Sequence, residues 1–111
     1  MALTPEKKVK NKCVKLIQAY GVYYFFPSMN GFGRSGVPDI ICCANGNFLG
    51  VECKAGKNEP TELQKLEMKK IRDAGGKTLV VNEENLSELE GLLKELTNAT
   101  NRNEQGSADS P

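Results

Sequence analysis

Asn45-Gly46-Asn47 lies between two short runs that both read as strands, Asp39 to Ala44 (DIICCA) and Phe48 to Lys54 (FLGVECK). A tight turn of this composition makes the flanking strands return antiparallel, and the hairpin then limits what can meet. Side chains alternate along a strand, so Glu52 and Lys54 share one face while Val51 and Cys53 take the other. Asp39, at the start of the first strand, falls opposite the end of the second. Two carboxylates and one ammonium therefore gather at one end of a sheet. Carboxylates that close repel unless a proton or a cation sits between them, and a divalent metal with hard oxygen ligands is a natural occupant. Taken alone, an E-x-K in a strand is far more often an exposed ion pair, and an Asp after Pro38 a turn cap. Here the Asp follows Pro at a strand start, the spacing permits a hairpin, and the lysine comes two residues after the glutamate.

The rest of the chain supplies a scaffold around that hairpin. Thr4-Pro5-Glu6 is a helix start: Thr4 caps, Pro5 suits the first turn, and Glu6 favours the positive end of the dipole. Val9, Cys13, Leu16, Ile17 and Tyr20 mark one helical face, and Glu6, three residues before Val9, extends that buried face. Lys7, Lys8, Lys10, Lys12 and Lys15 occupy the other, and Gly21 stops the helix. Val22 to Phe26 is the plainest strand, apolar enough to predict burial on both faces or one face covered by another subunit. Pro27 to Pro38 is a glycine-containing loop with Asn30, Arg34 and Ser35, long enough to suggest a functional role.

Thr61 opens a second helix with an apolar stripe of Leu63, Leu66, Ile71 and Ala74, ended by Gly75-Gly76. Thr78 to Val81 follows a helical crossover, so it should run parallel to the strand before that helix. Leu86, Leu89, Leu92, Leu93 and Leu96 stripe a last helix. From Asn98 the chain is polar and without periodicity, which predicts a disordered tail. The order α-β-β-β-α-β-α implies an α/β fold, a small mixed sheet flanked by helices. The expectation is one domain over residues 1–97 and a tail over 98–111.

Composition narrows the chemistry. There is no histidine among the 111 residues, which excludes Ser-His-Asp and Cys-His nucleophilic schemes. Acid–base work must fall to carboxylates, lysine, tyrosine or a metal-bound water. Residues 1–57 hold eight Lys/Arg against three Asp/Glu, a charge of +5, and residues 58–111 hold seven against eleven, −4. A basic first half points weakly to a polyanion. Cysteines 13, 42, 43 and 53 match neither a disulfide framework nor zinc spacing and are expected as buried thiols. No apolar run can span a bilayer and no leader is visible, so an intracellular protein without membrane association is expected.

Pro38-Asp39 followed by Glu52-Cys53-Lys54 resembles the PD-(D/E)xK nuclease superfamily. The approach GRSGVPD, Thr61-Glu62-Leu63-Gln64 at the next helix and AGGKTLVV after it bring the resemblance closer to its VRR-NUC branch, over residues 5–96. That resemblance implies a restriction-endonuclease-like core. In it Asp39, Glu52 and the backbone carbonyl of Cys53 bind Mg²⁺ or Mn²⁺, and Lys54 positions the attacking water. It implies that Glu6 completes the acidic set, in competition with a simple dipole role, and that Gln64 stands beside the site, in competition with a capping box made with Thr61. It further implies a metal-dependent endonuclease acting on branched DNA, most of all four-way (Holliday) junctions, as a homodimer in a bacterial or phage-infected cell. A flap- or restriction-type nuclease, or a nucleic-acid-binding protein that does not cut, are the alternatives. DNA would be held by Arg34 and Ser35 in the loop and by first-helix lysines, Lys8 and Lys12 among them.

Overall fold

A computed structural model describes residues 3–28 and 35–107, with side chains to Asn98. Seven elements follow in order: α1 (Pro5–Ala19), β1 (Tyr23–Phe25), β2 (Ile40–Ala44), β3 (Asn47–Cys53), α2 (Glu62–Asp73), β4 (Lys77–Val81) and α3 (Leu86–Ser107). The strands form one sheet in the order β1-β2-β3-β4. The first two pairings are antiparallel and β3–β4 is parallel, as a helical crossover requires.

Local chemistry explains the joints. Thr4 caps α1 by accepting from the Lys7 amide at 3.1 Å, and Gly21, at φ +68°, turns the chain out of the helix. Asn45 and Gly46, both at positive φ, make the two-residue hairpin between β2 and β3, the left-handed pair such turns demand.

One face of the sheet carries the core. Val9, Cys13 and Ile17 of α1 and Leu89, Leu93 and Leu96 of α3 pack against Ile40, Cys42, Leu49, Val51, Cys53 and Val81. Each fully buried leucine or isoleucine stabilises the fold by roughly 2 kcal/mol. The Tyr20 hydroxyl donates to Glu90 at 3.0 Å and ties α1 to α3. The other face is covered by α2 through Met68 and Ile71; a Cβ on Gly50 would come within 3.2 Å of Ile71 and 2.8 Å of Pro38.

Several expectations need correction. The aromatic strand is only three residues long and lies at the sheet edge, with Tyr23 68% exposed. An edge position, not its composition, sets its burial. On α2, Leu63 and Leu66 are exposed and Met68 is the buried residue, because only the second half of the helix crosses the sheet. Cys43 is exposed, while the other three thiols are buried. The helical backbone of α3 runs to Ser107, past the Asn98 at which the sequence ends its apolar stripe. Among the described residues no helix is long and apolar enough to cross a membrane.

Candidate active site

The hairpin register sets Ile40 opposite Val51, so one step further Asp39 stands opposite Glu52. The loop before Asp39 is fixed from two sides. Gly36, at φ +82°, lies so close to α2 that a Cβ there would meet the Leu63 carbonyl at 2.7 Å, and Pro38 is buried over Gly50. Asp39 is then clamped: its Oδ2 accepts from the Cys53 backbone N–H at 2.8 Å. That hydrogen bond continues the hairpin with a side chain where the β2–β3 ladder ends.

Glu52 is the one buried charged residue among those described, 1% exposed. Neither of its carboxylate oxygens has a hydrogen-bond partner. Lys54 Nζ lies 3.4 Å from Oε2, close enough for an ion pair but not a formed hydrogen bond. Burial, with Asp39 beside it, pushes the Glu52 carboxyl up to about 7, against the pull of Lys54. Lys54 is itself only 12% exposed, and its amide donates to Val81 O at 2.9 Å, which extends the parallel ladder past Cys53.

A cleft of about 500 Å³ opens on Asp39 and Cys53, walled by the first turns of α1 through Thr4, Glu6, Lys7 and Lys10, and by Ala55 and Asn58 of the β3–α2 loop. That loop is held by Glu83, whose carboxylate accepts from the Gly56 amide at 2.9 and 3.2 Å.

No family model matches the chain. A solved structure named "VRR_NUC domain" superposes with a TM-score of 0.65 at 23% identity, covering 83% of this chain and 97% of the other; that likeness is one of fold. A protein of Acyrthosiphon pisum secondary endosymbiont phage 1, "Putative nuclease p44", is 32% identical over 91 residues, 80% of this chain and 95% of the relative. The chain belongs to the VRR-NUC nuclease family.

Within this VRR-NUC domain the structure brings together Asp39, Glu52, Cys53 and Lys54. Glu6 is on the cleft wall but exposed, not buried as its periodicity predicts, because the first turn of α1 overhangs the end of the sheet. Its charge still reaches Glu52 and helps to raise it. Gln64 makes the capping box: its Oε1 accepts from the Thr61 amide at 2.8 Å, and its own amide donates to Thr61 Oγ1 at 3.2 Å. The contact of Gly36 with this first turn of α2 brings Gln64 beside the loop that carries Asp39, with its Nε2 amide still to spend. Ser35 is exposed, and Arg34 lies outside the described residues. Lys8 and Lys12 are exposed but do not wall the cleft; Lys7 and Lys10 do.

The donor set suits a hard divalent cation. Two buried carboxylate oxygens without hydrogen bonds and a second carboxylate with one oxygen engaged are hard oxygen donors. Among the described residues no group of three or more His, Cys, Asp or Glu side chains is close enough to hold a metal, so water or substrate must complete any such sphere.

Sequence reasoning missed the VRR-NUC cleft's polar wall of Asn58 and the Glu83 prop. Neither has a periodic or motif signal. Behind the site, Cys53 Sγ donates to Cys13 Sγ at 4.0 Å. The bond raises the Cys53 thiol, burial adding to it, and lowers Cys13. Burial also pushes Cys42 up to about 12. These thiols are packing groups, not nucleophiles.

Proposed function

We propose that this protein is a divalent-metal-dependent DNA endonuclease that selects branched structures, four-way (Holliday) junctions foremost. The observation that carries the reading is the Glu52 carboxylate, buried with no hydrogen bond to either oxygen, facing Asp39, and with only the Lys54 ammonium at 3.4 Å to offset it. A fold does not leave a charge in that state for stability, since it costs several kcal/mol; it does so for a ligand.

Asp39, Glu52 and the Cys53 carbonyl would hold Mg²⁺ or Mn²⁺, which supplies a water activated near neutral pH and offsets charge on the phosphoryl oxygens. The chain does the rest. The Cys53 amide keeps Asp39 aimed with one oxygen engaged and the other open. Lys54, tethered beside Glu52, orients the attacking water and balances charge as the phosphorus centre becomes more negative. Gln64 offers its amide from the cap, and Glu6 adds an outer acceptor on the cleft wall. Lys7 and Lys10 take backbone phosphates at the cleft, with Lys8, Lys12 and Ser35 further along the duplex, and the Arg34 guanidinium adds a phosphate contact.

The exposed aromatic edge, Tyr23 and Phe25 on β1, supports a homodimer. Two sites related by a two-fold axis match a junction with paired strands to cut.

The test incubates the protein with four-way junctions, flaps and plain duplex in Mg²⁺ or Mn²⁺ and then in chelator, with Asp39→Ala and Lys54→Ala beside it. Metal-dependent junction cleavage lost in both variants is expected. Cleavage of flaps or duplex with junctions spared would reassign the substrate to a flap- or restriction-type reaction. Binding without cleavage would leave a nucleic-acid-binding protein.

A further inference from the structure

We infer that Phe26 and Lys10 form a platform at the mouth of the cleft for one branch-point nucleotide that has lost a stacking neighbour, the ring stacking on the base and the ammonium meeting its phosphate. The inference rests on the nuclease reading and narrows the substrate to DNA with an unstacked base beside the cut.

Phe26 follows the last residue of β1 and is 49% exposed. It does not hang free. Its ring lies 5.8 Å from that of Tyr24, tilted by 56°. Tyr24 is anchored in turn, its hydroxyl accepting from Gln18 Nε2 at 2.8 Å. Lys10 Nζ stands 4.3 Å from the Phe26 centroid. The same lysine walls the cleft beside Glu6 and Asp39. One side chain thus links an exposed aromatic face to the carboxylates.

The charges favour this use. A phosphate entering the cleft beside Asp39 and Glu6 needs nearby cations, and Lys7 and Lys10 are the ammonium groups that line it. When Lys10 turns to a phosphate it uncovers the ring it rests on. Every base has a face that can stack there, so the platform is blind to sequence. A base inside a duplex is already stacked on its neighbours. A base at the strand exchange of an open four-way junction, or at the foot of a flap, lacks a neighbour on one side, and the ring therefore discriminates structure.

The test places 2-aminopurine at the branch of a four-way junction and of a flap, and inside a plain duplex. Titration uses the full chain in chelator, so that no strand is cut. Expected are a fluorescence change at the branch but not in the duplex, and about tenfold weaker binding of branched DNA by Phe26→Ala with duplex affinity unchanged. Phe26→Trp should restore branched binding. Lys10→Met should weaken all DNA and lower the salt slope by about one. Thermal melts of each variant check the fold. The platform is overturned if Phe26→Ala weakens duplex and branched DNA equally or not at all, or if the branch fluorescence does not respond. Should wild type and Phe26→Ala then both cut branched DNA alike in Mg²⁺, the nuclease reading stands without the platform. Wild type that neither binds nor cuts DNA overturns both.

Discussion

The Oδ2 atom of Asp39 accepts from the backbone amide of Cys53 at 2.8 Å, so a group read as a metal ligand also closes the open end of a hairpin. The two roles separate by substitution. Asp39→Asn keeps an acceptor for that amide and should melt within a few degrees of wild type while losing cleavage. Asp39→Ala should lose cleavage as well and cost about 1 kcal/mol more, the worth of one hydrogen bond. Urea titration of both variants, run beside a junction assay, checks this. Equal stability of the two would show that the clamp contributes nothing.

The Glu52 carboxyl is raised from 4.5 to about 7 by burial and by Asp39. Between those two values the folded state keeps a proton that the unfolded state has released. Stability of the metal-free protein should therefore fall as pH rises through this window and level off above it, by up to about 3 kcal/mol. Glu52→Gln removes the effect. Its stability relative to wild type should improve from pH 5 to pH 8, measured by denaturant unfolding in chelator. A difference that does not change with pH would mean the carboxylate is solvated in the folded state.

Gly36 and Gly46 both hold positive φ, but only Gly36 has backbone where a Cβ would go. Gly46→Ala should cost about 1 kcal/mol from its left-handed conformation alone. Gly36→Ala should cost more, because Leu63 must move, and should lower cleavage by displacing the loop ahead of Asp39. The comparison needs only two melting curves and one assay. Equal losses would mean the loop shifts freely off α2.

Gln64 caps α2 through its Oε1. Glutamate can make the same box, so Gln64→Glu should keep the melting temperature while exchanging an amide donor for a charge beside the site. Reduced cleavage with an unchanged melt is expected. Full activity in Gln64→Glu would confine the residue to the cap, and Thr61→Ala, at about 1 kcal/mol, calibrates what the cap is worth.

Much of this was readable from the chain because it depends on local periods. The hairpin follows from Asn45-Gly46, the shared face of Glu52 and Lys54 from strand alternation, and the parallel β4 from the crossover. The corrections concern where an element ends relative to its neighbours. Glu6 has the period of a core residue, yet the sheet stops beneath it. Five lysines share the wet face of α1, and only the rotation of α1 against β3 selects Lys7 and Lys10 for the cleft. The aromatic run of β1 is as apolar as a central strand, and nothing in it states that no strand lies beyond. The unpartnered state of Glu52 also has no sequence signal, since it depends on what fails to arrive from elsewhere.

Glu52 and Cys53 close the central strand β3, paired with Val80 and Val81 of β4 on one side and, past the last β2 pair, held on the other by the Asp39 side chain on the Cys53 amide. Amides so placed exchange with solvent only when the whole domain opens, whereas the first turn of α1 can fray without disturbing the sheet. The two walls of the cleft therefore differ in how they can vary. The chemical side is as rigid as the fold itself, and the side bearing Glu6, Lys7 and Lys10 is free to drift in sequence and shape. A lineage of such enzymes could change what it grips without ever touching what it cuts with.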